Sequence, residues 1–162
     1  MPALSPTRTL LALKKNATTL SVILKGVDHA RAVSARDGSD GWTVLEVLCH
    51  LRDYENIFMS RNKLVLEADE PALPVYNPMT LAAENRYAEQ DFLTVWNEWL
   101  ELRRQHLDLL SRLTPEAWNR KGAHPTWGIV PILEMATITA LHDGDHTEQI
   151  IRALGLSDVI FA

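Results

Sequence analysis

The sequence predicts an all-α protein, a four-helix bundle with a long connection between its second and third helices. Three observations predict it. Four long segments carry apolar residues at steps of three and four. No stretch alternates polar and apolar residues for more than a few positions. The middle two segments are separated by "DEPALPVYNP", whose three prolines make it a loop.

The first segment is expected from about Thr7 to Ala35, with Leu10, Leu13, Ala17, Leu20, Leu24 and Val27 on one stripe. "SARDGSDG" ends it. The second begins at "TVLE", where Thr43 and Glu46 have the spacing of a capping box, each satisfying a free amide at the helix start. It is expected to run to about Ala68. The third occupies roughly Leu81 to Leu113, with Phe92, Val95, Trp96, Trp99, Leu102, Leu109, Leu110 and Leu113 as its stripe. "TPEAW" reads as a short helical turn capped by Thr114 with Pro115 in first position, and "NRKGAHPTWGIV" as a loop. The fourth starts near Pro131 and stops at Gly155, a helix C-terminal cap. Four such helices bury their stripes most simply against one another, and there is no internal repeat.

A chain of 162 residues that is 46% hydrophobic is read as one domain, residues 1–162, with a real core. Sixteen basic and 21 acidic residues give a net charge of -5, and neither sign gathers into a run. Nucleic-acid binding is therefore not expected, and small-molecule chemistry is. The single cysteine, Cys49, excludes an internal disulfide framework and fits a reducing compartment, so the cytoplasm is the expected location. No window approaches about 18 consecutive apolar residues, and "MPALSPTRTLLALKK" lacks an uninterrupted apolar core, so neither membrane spanning nor secretion is expected.

The fourth segment carries the chemistry. Stepping about 100° per residue puts Ile132, Met135, Thr139, His142, His146, Ile150 and Ala153 on one inward face, with Glu134, Leu141, Asp145, Glu148 and Arg152 elsewhere. A buried imidazole without a partner costs roughly 1 to 3 kcal/mol. A metal ion resolves both at once, because residues i and i+4 lie about 6 Å apart along one side of a helix. In "TVLEVLCHLRDYE" the stripe is Val44, Val47, Leu48, Leu51, Tyr54 and Phe58, and His50 sits on its shoulder as a third candidate ligand. Cys49 points about 100° further round and reads as a small buried or half-buried hydrophobe, not a ligand. Core histidines without metal, in a helical interaction module, remain the alternative.

The other histidines have simpler readings. His29 is a cation near the C-terminus of the first helix, and His124 a loop residue. His106, between Leu102 and Leu110 on the third stripe, is expected to be a hydrogen-bonded core residue rather than a fourth ligand. Met135 and the tryptophans are packing, with Trp42 and Trp127 as candidate pocket lining. "RRQ" and "DE" read as solvated faces. Asp53 and Gln149, each three residues after a candidate ligand, could orient ligands or surface polar groups equally well.

"GWTVLEVLCHLRDYE", "LHDGDHTEQI" and "LDLLSRLTPEAW" followed by "HPTWGIVPILEM" together resemble the DinB-like (DinB/YfiT) superfamily of bacterial metal-binding four-helix bundles, over about Trp42 to Leu154. By this resemblance His50, His142 and His146 match the family's three metal-ligating histidines. Gly144, a weak helix former between two of them, departs from the pattern. Three neutral imidazoles leave open positions on Zn, Ni, Co or Fe. Such an ion lowers the pKa of water to about 7 or holds a thiol as thiolate. The resemblance implies a metal-dependent enzyme acting on small molecules, either a hydrolase or a transferase or isomerase using a low-molecular-weight thiol (bacillithiol, mycothiol or glutathione). It also implies a homodimer. A non-catalytic metal-binding or stress-response protein is the alternative, since no general base or nucleophile is assured beside the ligands.

Overall fold

The computed structural model describes residues 4–156, so the outer ends of the domain expected over 1–162 lie outside the described residues. Helix α1, Pro6–Ile23, starts where the Ser5 hydroxyl accepts from the Arg8 amide and Pro6 occupies the first turn. It does not continue to Ala35. Gly26 takes the left-handed conformation (φ 84°), and Asp28 then caps a separate short helix, α2, His29–Ser34. Leu24 is nevertheless buried and Val27 packs on the core, so the stripe reported burial correctly across a break it could not show. His29 accordingly begins a helix rather than closing one, and its Nδ1 accepts from the Phe92 amide at 3.4 Å.

Helix α3, Val44–Glu67, opens on the expected capping box: the Thr43 amide donates to Glu46 at 2.7 Å and the Glu46 amide to the Thr43 hydroxyl at 3.2 Å. The proline-rich strap follows. The expected third helix is interrupted near its start: Asn77 caps α4, Pro78–Glu84; Arg86 turns left-handed (φ 47°) ahead of a 3₁₀ turn at Tyr87–Glu89; and Asp91 caps α5, Phe92–Ser111. Two caps within one apolar pattern each start a new helix. Helix α6, Pro115–Trp118, is the expected turn capped by Thr114.

The expected loop after it is a β-hairpin, β1 Lys121–His124 and β2 Gly128–Pro131, paired antiparallel from Lys121↔Pro131 to His124↔Gly128. The strap completes it: the Leu73 amide donates to Ala123 O and the Ala123 amide to Pro71 O, both at 2.8 Å. A Cβ at Gly122 would meet Val65 and Leu73 side chains at 2.8 Å, so only glycine lets the hairpin seat this closely. Helix α7, Ile132–Ala153, runs unbroken through Gly144 and ends before Gly155 (φ 70°) as expected.

The four long helices form the bundle, α3 packing on α5 and α7, and α1 on α7 and α5. One apolar cluster joins Leu20, Leu45, Leu48, Trp99 and Ile150; a second joins Leu13, Val65, Leu110, Ile132 and Met135. Each fully buried side chain of this kind contributes roughly 1.5 to 3 kcal/mol. Along α3, α5 and α7 the stretches between these clusters carry buried polar residues, among them Glu55, Arg103 and Asp143.

Candidate metal centre

Helix α3 presents His50 and α7 presents His142 and His146 to one point. One ring nitrogen from each lies within 4.8 Å of the other two, and His50 Nε2 and His142 Nε2 are 3.0 Å apart. The i, i+4 spacing stacks the two α7 imidazoles on one side of the helix, with ring centroids 4.5 Å apart. His50 is buried, and its Nδ1 has no hydrogen-bond partner among the described residues. His146 Nδ1 lies 2.8 Å from Gln149 Oε1. That carbonyl accepts, which holds the proton on Nδ1 and turns the Nε2 lone pair inward.

The rings are neutral at pH 7. Burial, reinforced by the neighbouring imidazoles, pushes His50 down to about 2; burial and His146 push His142 down to about 3; burial lowers His146 as well. Three converging neutral nitrogen donors suit a borderline divalent cation. Across the 3.0 Å contact one imidazole donates and the other accepts.

Aromatic walls surround the cluster. Tyr54 stacks on His142 (5.1 Å, 23°), Phe58 meets it edge-on, and Trp42 lies 5.2 Å from His50. A pocket of 420 Å³ opens above, lined by Trp42, Tyr54, Pro78 and Gln149 with the three histidines. A second, open groove of 670 Å³ runs along the outer flank of α7 past Asp145, Glu148 and Arg152 and shares His146 and Gln149 with the first. The strap roofs this region: Arg61 donates from Nε and Nη2 to Pro74 O, and Tyr54 OH to Tyr76 O.

The remaining candidates sort clearly. Cys49 is buried, its thiol pushed up to about 12 by burial, with Tyr87 O as its contact. His106 is the hydrogen-bonded core residue expected, 2.8 Å from both Glu55 Oε1 and Asn62 Nδ2. His124 stacks on Trp127 and accepts from the Thr126 and Trp127 amides. Trp42 lines the pocket over the histidines; Trp127 instead stacks on His124 and Phe58. Asp53 accepts from Tyr87 OH at 2.7 Å and Asn85 Nδ2 at 2.8 Å, tying α3 to the 3₁₀ turn instead of orienting an imidazole.

"RRQ" is a solvated face only in part: Arg104 and Gln105 are exposed, but Arg103 is 2% exposed and paired with Glu55 and Asp143. The signal was present: Arg103 lies four residues after Trp99 and three before His106, on the buried stripe itself. Asp69 and Glu70 of "DE" are exposed as expected.

The family model of the DinB superfamily matches residues 12–150. The chain belongs to the DinB superfamily. Its fold is similar to that of a solved structure, YfiT from Bacillus subtilis, described as a probable metal-dependent hydrolase with an unusual four-helix bundle topology. That likeness has a TM-score of 0.83 and 22% identity, covering 97% of this chain and 94% of that one. A mycothiol-dependent maleylpyruvate isomerase is also similar, with a TM-score of 0.74 and 16% identity over 91% of this chain, which spans 61% of that chain's length. No curated protein matches the sequence. Among the described residues of this DinB-superfamily bundle, no helix is long and apolar enough to cross a membrane.

Proposed function

We propose that this protein is a metal-dependent enzyme acting on small molecules, with His50, His142 and His146 holding one divalent ion (Zn, Ni, Co or Fe). The observation that carries the reading is the convergence of three neutral imidazole nitrogens within 4.8 Å at the floor of an open pocket. When bound, the ion supplies Lewis acidity to a nucleophile or carbonyl there. The protein's own groups do the rest. Gln149 fixes the His146 tautomer. Trp42, Tyr54 and Pro78 give the pocket apolar walls that receive a substrate body.

Two reaction classes fit one such ion without a protein base: hydrolysis, as the description of YfiT suggests, and transfer or isomerisation with a low-molecular-weight thiol, as the mycothiol-dependent isomerase suggests. The chain works as a single domain and as a homodimer in the cytoplasm, the location supported by one buried, unpaired cysteine. A non-catalytic metal-binding or stress-response role is the second reading, favoured by the lack of any carboxylate among the described residues lining the histidine pocket.

Metal-loaded protein assayed against ester, amide and electrophile panels, with and without bacillithiol, mycothiol or glutathione, tests the proposal. Turnover that vanishes in His146→Ala while the helical circular dichroism persists is the expected result. Thiol dependence selects transfer or isomerisation, and its absence selects hydrolysis. No turnover across all panels by metal-replete protein overturns the enzyme reading in favour of metal binding alone. A monomer mass in sedimentation at micromolar concentration overturns the dimer.

A further inference from the structure

Arg103 touches all four long helices. From α5 its Nε and Nη2 donate to the two oxygens of Glu55 on α3 (3.0 and 2.5 Å), and its Nη1 donates to Asp143 Oδ2 on α7 (2.8 Å) and to Leu13 O on α1 (3.1 Å). Its guanidinium also sits 4.9 Å from the Trp99 ring centroid. All three charged side chains are at most 2% exposed. Glu55 lies five residues after His50, and Asp143 directly follows His142, so the guanidinium bridges the two helices that carry the histidines.

We propose that Arg103 is a positioning residue for the histidine cluster: by clamping Glu55 and Asp143 it sets the separation and rotation of α3 and α7 at which His50, His142 and His146 meet. The inference rests on the metal centre proposed above.

A buried ion triad is a poor stability device, because desolvation of the charges offsets most of their attraction and well-packed neutral side chains serve as well. Its geometry is another matter. Coordination distances tolerate about 0.2 Å, and a ligand set has to be held to about 0.5 Å by its supporting groups. A guanidinium bidentate on Glu55 and bonded to Asp143 is rigid on that scale, and His106 Nδ1 and Asn16 Nδ2 donate to the same Glu55 and Asp143 oxygens. Without the cation, two like charges face each other across the α3–α7 seam.

The test separates fixing geometry from holding the fold. In the charge-free triple variant Glu55→Gln/Arg103→Met/Asp143→Asn, the new amides still accept from His106 and Asn16. Folding of the metal-free protein is followed by circular dichroism and urea, and Co²⁺ binding by its visible spectrum. The expected result is a folded protein whose Co²⁺ affinity falls roughly ten- to a hundredfold, the scale seen when groups supporting metal ligands are removed, with an altered ligand-field spectrum. Asp143→Asn alone, which keeps its hydrogen bond to Arg103 but loses the charge, is the second variant should the triple variant fail to fold; a weaker loss of affinity with a shifted spectrum is expected. Parental affinity and an unchanged spectrum in a folded variant overturn the proposal alone. A parent protein that takes up no Co²⁺ overturns the metal centre, and this inference with it.

Discussion

Two buried polar clusters lie side by side in this bundle, and they differ in whether their polar atoms are satisfied. In the Arg103 cluster every guanidinium nitrogen has an acceptor, and each carboxylate has a second donor. In the histidine cluster three imidazoles share one contact among themselves, Gln149 serves His146, and His50 Nδ1 has no partner among the described residues. Burial of polar groups is tolerated where they are paired and costs free energy where they are not. The charges of the first cluster are therefore paired within the chain, as befits scaffold, while Asn62 Oδ1 and Trp99 Nε1 beside them have no partner among the described residues. The second offers nitrogen donors that the proposed divalent ion would take up.

Acid separates the two most strongly. The histidines have folded pKa values pushed below their ordinary 6.5, to about 2 and about 3 for His50 and His142. The unfolded chain thus binds more protons than the folded one as pH falls from about 6.5, and stability of the metal-free protein drops by up to about 1.4 kcal/mol per pH unit for each ring. Glu55 is held down to about 2 from an ordinary 4.5 despite its burial, by Arg103 and His106, so the stability it contributes is complete above 4.5 and lost only below. Urea unfolding between pH 7 and 5 should therefore report the buried histidines, and a His50→Leu/His142→Leu variant should reduce that slope to what His146 and His124 contribute.

Next in size is Arg103→Met, which strands two buried carboxylates; a loss of about 3 to 5 kcal/mol is expected in urea unfolding at pH 7. His142→Ala should cost the metal-free protein little and abolish stabilisation by metal, which in the parent amounts to about 2.7 kcal/mol at a hundred times the Kd. A rise in melting temperature on adding metal that survives His142→Ala contradicts the comparison. The smallest effect is expected from Gln149→Leu, which removes the one partner of His146 and should weaken metal affinity about tenfold by isothermal titration, with stability unchanged.

The bundle and the three histidines were legible because both rest on local periodicity. The 3.6-residue repeat places His142 and His146 on the stripe with Met135 and Ile150, and the Thr43–Glu46 box fixes where α3 starts. What escaped was non-local or masked by burial. Leu24 and Val27 keep the apolar rhythm through the Gly26 break because the core receives them whether or not the backbone is helical. The hairpin strands have four residues each, too few for an alternating signal, and they are held by strap amides some 50 residues away in sequence that no local pattern connects to them. Arg103 was misread because a charged residue next to another charged residue suggests a wet face, although its spacing from Trp99 and His106 places it inside.

The function turns on whether one ion sits among the three rings. Elemental analysis of protein purified without a histidine tag, set beside His142→Ala prepared identically, measures this directly. One divalent ion per chain in the parent and none in the variant is the predicted result; no ion in either, or equal content in both, contradicts it.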